Sequence, residues 1–136
     1  MRRRQVTTAL FAAPLAACSP SKVLPPLQPP DEVLIQRNSE VVGKVVEQAQ
    51  LAKISSFVNA RLTGWSTPWF GAPVGQVYFI FRNKGLVMGN FYVGPWFFGR
   101  DHGDFLSQSA RKEEVAELGR IANLPLVEYV EAVGRR

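Results

Sequence analysis

The chain has almost no cysteine and almost no histidine: one of each, Cys18 and His102, in 136 residues. One cysteine excludes an internal disulfide, so the fold must rest on an apolar core. One histidine and one cysteine leave too few nitrogen and sulfur donors for a structural zinc site. A dense Lys/Arg cluster is also missing outside the N-terminus. Of 16 basic residues, three (Arg2, Arg3 and Arg4) lie in the first 17 positions, which leaves 13 against 11 acids. The net charge of +5 therefore owes most of its size to that leader, and the basic face of a nucleic-acid binder is absent. No apolar run reaches the roughly 20 residues that a membrane-spanning helix needs.

Catalytic patterns are equally scarce. There is no G-x-S-x-G turn and no glycine-rich phosphate loop. Ser107 and Ser109 lie near His102 in sequence, but a nucleophile–base pair is defined by geometry that spacing cannot supply. Asp101, His102 and Asp104 in "RDHGD" could touch a cation, yet calcium takes six to eight oxygen ligands and a polar hairpin turn explains the same letters. The residues therefore predict no catalytic site, no metal site, no cofactor and no enzyme.

What is present begins with the leader. Three arginines precede a short apolar run from Val6 to Ala17, and Pro14 stands near its end. A basic start, a short apolar stretch and small residues at its close describe an export signal. Arg3-Arg4 also permits a twin-arginine reading, which the residues after it fit poorly. The order Leu15, Ala16, Ala17, Cys18 resembles the lipobox of bacterial lipoproteins. The resemblance covers residues 1–18 only. It implies that residues 1–17 are cleaved, that Cys18 becomes the first mature residue, and that its sulfur carries a diacylglycerol. Two or three acyl chains make such an anchor close to permanent, at about 0.8 kcal/mol per buried methylene. In that family the residue after the cysteine influences sorting. Ser19 implies the outer membrane, facing the periplasm.

Residues 18–30 include Pro20, Pro25, Pro26, Pro29 and Pro30. Such a stretch favours polyproline II and predicts a semi-rigid stalk reaching roughly 35 Å. Residues 31–136 then form one small domain. A helix is expected over 39–62, capped by Ser39 and stopped by Gly64, although its Val-rich start also suits a strand and Gly43 weakens it. "QVYFIFR" and "LVMGNFYV" predict a hairpin closed by a three-residue loop, Asn83-Lys84-Gly85. Val77, Phe79 and Phe81 face the core, while Tyr78, Ile80 and Arg82 face away. Trp96, Phe97 and Phe98 are expected on a third strand, after a bend at Gly94-Pro95. Ser109 is expected to cap a helix over 110–122, with Glu113 and Glu114 early and Val115, Leu118, Ile121 and Ala122 buried. A last helix runs from Pro125 to about Val133. The fold class predicted is α+β: a small antiparallel sheet of about three strands, one helix before it and one or two after it.

The loop "GWSTPWFGAP" concentrates aromatic side chains between elements. Trp65 is expected in the core. Trp69, Phe70 and, on the sheet, Trp96 are the candidate binding surface, because exposed aromatics mark interfaces. Three functions are compatible with this: binding another envelope protein, stacking on a small ligand or glycan, and plugging a toxin or hydrolase as an inhibitor or immunity protein.

Overall fold

The computed structural model describes residues 21–68 and 77–132. Cys18, Trp69, Phe70 and the expected end of the last helix at Val133 lie outside the described residues. Two residues with left-handed backbone set the first difference from expectation. Asn38 and Ser39 both have positive φ, 51° and 67°, and turn the chain tightly between strand β1 (Glu32–Arg37) and strand β2 (Glu40–Val45). Two positive-φ residues make the type of two-residue turn whose twist suits a hairpin. Ser39 is therefore a turn residue, not a helix cap. The expected helix over 39–62 shortens to α1 (Gln48–Asn59). The apolar letters at 42–46 are compatible with either period, but four valines around one glycine favour extended backbone.

The second hairpin repeats the device. Strand β3 (Val77–Asn83) and strand β4 (Leu86–Val93) are joined by Lys84-Gly85, with φ of 50° and 78°. Asn83 pairs with Leu86, so the loop has two residues rather than three. Strand β5 (Phe97–His102) and strand β6 (Asp104–Ser109) follow, then α2 (Lys112–Ala122) and α3 (Leu126–Glu131). Ser109 ends β6, and Arg111 is the residue that precedes α2, so the expected Ser109 cap is replaced.

The fold is α+β, as the sequence predicts, but its antiparallel sheet has six strands among the described residues, in the order β2-β1-β3-β4-β5-β6. β1 and β2 were hidden within a segment expected to be loop and helix. α1 carries the chain from the β2 edge to β3 on the other side of β1. The helices cover one face. Val33, Ile35, Val77, Phe79, Phe81, Phe91, Val93, Phe98 and Leu106 project into it and are buried. Leu51, Ile54, Phe57 and Val58 of α1 meet them, with Val115 and Leu118 of α2 and Leu126 and Val130 of α3. At the centre, Phe57 stands edge-on to Phe91 and Phe98, with ring centroids 6.3 and 5.7 Å apart. Trp65 is fully buried beside Phe91 and donates its indole N–H to Arg61 O at 2.7 Å. Its place in the core was legible. Tyr78, Ile80 and Arg82 lie half-buried on the opposite face, also as expected.

The proline-rich segment behaves differently from a stalk. Residues 21–30 lie along the domain. Lys22 N–H donates to Trp65 O at 2.6 Å, and Leu24 N–H to Leu62 O at 2.7 Å. Leu27 N–H donates to Asn59 Oδ1 at 2.9 Å, and Pro29 O accepts from Asn83 Nδ2 at 3.0 Å. Leu24 is only 2 % exposed, a burial that contributes about 1.5–3 kcal/mol. Polyproline backbone has no internal hydrogen bonds, so its free amides and carbonyls are available to a neighbouring surface. Leu24 and Leu27 supply the apolar contact that makes this segment a strap.

Candidate functional site

Each sequence-predicted site residue has a definite place or lies outside the described residues. Trp96 sits in the turn between β4 and β5 rather than on a strand, and it is 69 % exposed. The turn holds it there: Gly94 N–H donates to Phe97 O, and Trp96 O accepts from Ala110 N–H, each at 2.9 Å. Phe97 and Phe98, next along the chain, are both buried, and Phe98 joins the core. A large ring on a backbone fixed at both ends is a presented surface feature, not a core residue that failed to fit.

Asp101, His102 and Asp104 form the tip of the β5–β6 hairpin, where Gly103 has a φ of 77°. Asp101 is engaged there. Its Oδ2 accepts a short hydrogen bond from the Tyr92 hydroxyl and a longer one, 3.4 Å, from Asn90 Nδ2. Burial, then that hydrogen bond to Asp101, pushes the Tyr92 hydroxyl up to about 12. Among the described residues no three His, Cys, Asp or Glu side chains converge as a metal site would require. The nearness of His102 to Ser109 in sequence does not carry over to the hairpin. His102 pairs with Asp104 at the tip, whereas Ser109 pairs with Phe97 at the hairpin base. Ser107 uses its backbone on both sides, exchanging hydrogen bonds with Ser66 at 2.9 and 3.0 Å.

The feature that sequence reasoning missed is Arg100. In the β5 register it stands opposite Phe91 on the helix-covered face, and it is 4 % exposed. Burial lowers its pKa from the ordinary arginine value. Nη2 donates to Pro25 O on the strap at 3.4 Å, and Nη1 has no partner among the described residues. Buried polar groups are nearly always hydrogen-bonded, and a buried charge left unpaired is costly. The signal was there: Phe98 and Arg100 alternate in "FFGRD", so a core-facing Phe98 carries Arg100 inward with it.

Arg100 marks a fork. The β4–β5 ladder runs from Val93–Phe98 to Phe91–Arg100 and stops. Beyond it β4 continues beside β3 and β5 beside β6, so the two strands part. The gap, with the strap as one wall, forms a cleft of about 370 Å³ lined by Pro25, Pro26, Met88, Asn90, Arg100 and His102 among others. Gly89 also borders it, and a Cβ there would lie 2.9 Å from Leu27 Cδ2, so the strap sits directly on β4. Neither a family model, nor a curated protein, nor a solved structure matches the chain.

Proposed function

We propose that the protein is a lipid-anchored bacterial envelope lipoprotein whose small domain is a non-enzymatic, protein-binding module. The observation that carries this reading is Leu15-Ala16-Ala17-Cys18 after a basic start and a short apolar run. Ser19 supports placement on the outer membrane, with the domain in the periplasm. Among the described residues no helix is long and apolar enough to cross a membrane. The lipid is then the membrane attachment, and the partner is another envelope protein.

The strap changes the geometry of the anchor. With Lys22 already bound to Trp65, three residues, Ser19 to Ser21, separate the lipidated Cys18 from the domain, a span of four residue steps. At about 3.3–3.6 Å per residue that reach is at most about 14 Å, less than half the stalk expected from composition. The domain is held close to the bilayer. Trp96 is the partner-facing residue within the described chain, supported by its exposure and its fixed turn.

Two experiments test the two halves. Cys18→Ser moves the protein from the membrane to the soluble fraction; retention in the membrane would contradict the anchor. A photo-crosslinker in place of Trp96, activated in intact cells, yields one discrete protein adduct. Adducts to lipid alone, or none, would contradict the partner surface.

A further inference from the structure

We infer that the strap is a releasable spacer, and that Arg100 is the residue that keeps its docking reversible. Docked, the segment holds the domain close to whatever its N-terminus is attached to. Released, it becomes the extended linker that its prolines describe.

The strap is held at two separate places. Upstream of Pro29, its backbone amides bind one short stretch of chain, residues 59–65. Lys22 N–H donates to Trp65 O, Leu24 N–H to Leu62 O and Leu27 N–H to Asn59 Oδ1. Its root is fixed elsewhere. Pro29 O accepts from Asn83 Nδ2, and Asp31 N–H donates to Arg82 O at 3.0 Å. Residues 22–28 can therefore leave their seat as one unit, with 29–31 as the hinge on the β3–β4 hairpin. The six-stranded order does not include the strap, so its departure breaks no ladder of the sheet.

Arg100 works against the docked state. It is 4 % exposed and lines one cleft together with Pro25 and Pro26. Its contact with the strap is Nη2 to Pro25 O at 3.4 Å, a length at which a hydrogen bond is weak, and Nη1 has no partner among the described residues. Nor does it form an ion pair among the described residues. The stretches outside them, 1–20, 69–76 and 133–136, contain no Asp or Glu side chain. Asp101, next along β5, projects to the opposite face of the sheet, where Tyr92 engages it, and Asp104 lies at the hairpin tip. Docking thus strips water from a guanidinium and replaces it with one long contact to a neutral carbonyl. That opposes docking, whereas Leu24 burial and the three backbone hydrogen bonds favour it. Release returns Arg100 to water and breaks no ion pair.

Reach is what the release changes. From Cys18 to Pro29 there are eleven residue steps, which at about 3.1 Å each extend to roughly 35 Å, against at most about 14 Å when docked. This consequence rests on the lipid anchor proposed above; the release itself does not.

Amide hydrogen exchange of the full chain purified from its own host, read by mass spectrometry, tests the release. The strap peptide, residues 21–28, should exchange at least tenfold faster than β3, and Arg100→Met should slow the strap at least tenfold. A strap that exchanges no faster than β3, or one that Arg100→Met leaves unchanged or faster, would overturn the inference; the last result would make Arg100 a latch. Leu24→Ala decides the matter if Arg100→Met does not fold. It should free the strap peptide while β3 stays protected, and loss of protection in both would show that the strap is not separable. Exchange reads the release alone and the Cys18→Ser fractionation reads the anchor alone, so each can fail without the other.

Discussion

Glu114 on α2 grips Arg61, two residues past the end of α1, with a single carboxylate oxygen: Oε2 accepts from Nε at 3.1 Å and from Nη2 at 3.0 Å. Its other oxygen accepts the Arg111 N–H at 3.1 Å and so closes the first turn of α2. Arg61 in turn lies over the Phe57 ring, 3.6 Å from its centroid, and donates to Phe57 O at 2.7 Å. One ion pair thus ties two helices together above the aromatic centre of the core. Both side chains are largely shielded, so the pair is screened less than a surface bridge.

Glu114→Gln is expected to destabilise the fold by about 1–3 kcal/mol, because it leaves the Arg61 guanidinium without its charge partner. Burial alone would raise the Glu114 pKa. The hydrogen bonds from Arg111 and Arg61 outweigh it and hold the carboxyl below the usual carboxylate range. A depressed folded pKa adds stability above the unfolded value, near about 4.3, which is lost as pH falls through the folded pKa. Urea midpoints measured from pH 6 to pH 2 should therefore fall less steeply in Glu114→Gln than in the wild type. Parallel curves would refute the role given to this carboxylate.

Tyr92 gives the opposite sign. Its hydroxyl pKa is raised to about 12, so the stability it contributes is complete below the unfolded value of about 10 and is lost as pH rises between the two. Ultraviolet titration should show one tyrosine ionising late, and Asp101→Asn should bring that step down. A late step unchanged by Asp101→Asn would assign the shift to burial alone.

Gly119 of α2 packs closely against the turn that leads into α3. A Cβ there would meet the Leu124 backbone carbonyl at 2.8 Å, and backbone cannot move aside as a side-chain end can. Gly119→Ala is expected to cost about 1–3 kcal/mol despite the better helix propensity of alanine. Thermal melts check this, and an unchanged or raised midpoint would contradict the packing of α2 on the turn into α3.

Trp65 and Trp96 separate core from surface. Trp65→Ala should cost about 3–5 kcal/mol or abolish folding, since the ring and its 2.7 Å hydrogen bond are both buried. Trp96→Ala should change stability by less than about 0.5 kcal/mol. It should also reduce the quencher-accessible part of the fluorescence. A large stability loss on removing Trp96 would mean that its ring is structural.

The sequence makes some of this legible and hides the rest for physical reasons. Alternation in "VYFIFR" assigns both faces of β3 correctly, and acids at 113 and 114 mark the start of α2. Gly94-Pro95 signals the bend before β5. β2 is concealed because valines at 42, 45 and 46 satisfy a helical period by accident, and the turn that reveals the hairpin uses Asn38-Ser39 rather than glycine. The strap is concealed because a proline-rich composition describes local stiffness but not docking, and what fixes it is Leu24 and Leu27 against α1 and β4. Arg100 was readable only through the register of its neighbours, since one arginine among aromatics resembles any solvated charge.

Intact-mass analysis of the native protein, extracted with detergent from its own membranes, probes the anchor most directly. The predicted product starts at Cys18, lacks residues 1–17 and carries a diacylglycerol, with or without a third acyl chain on the new amino group. A mass that retains the leader, or a Cys18 with a free thiol, would contradict the placement of this domain at the membrane surface.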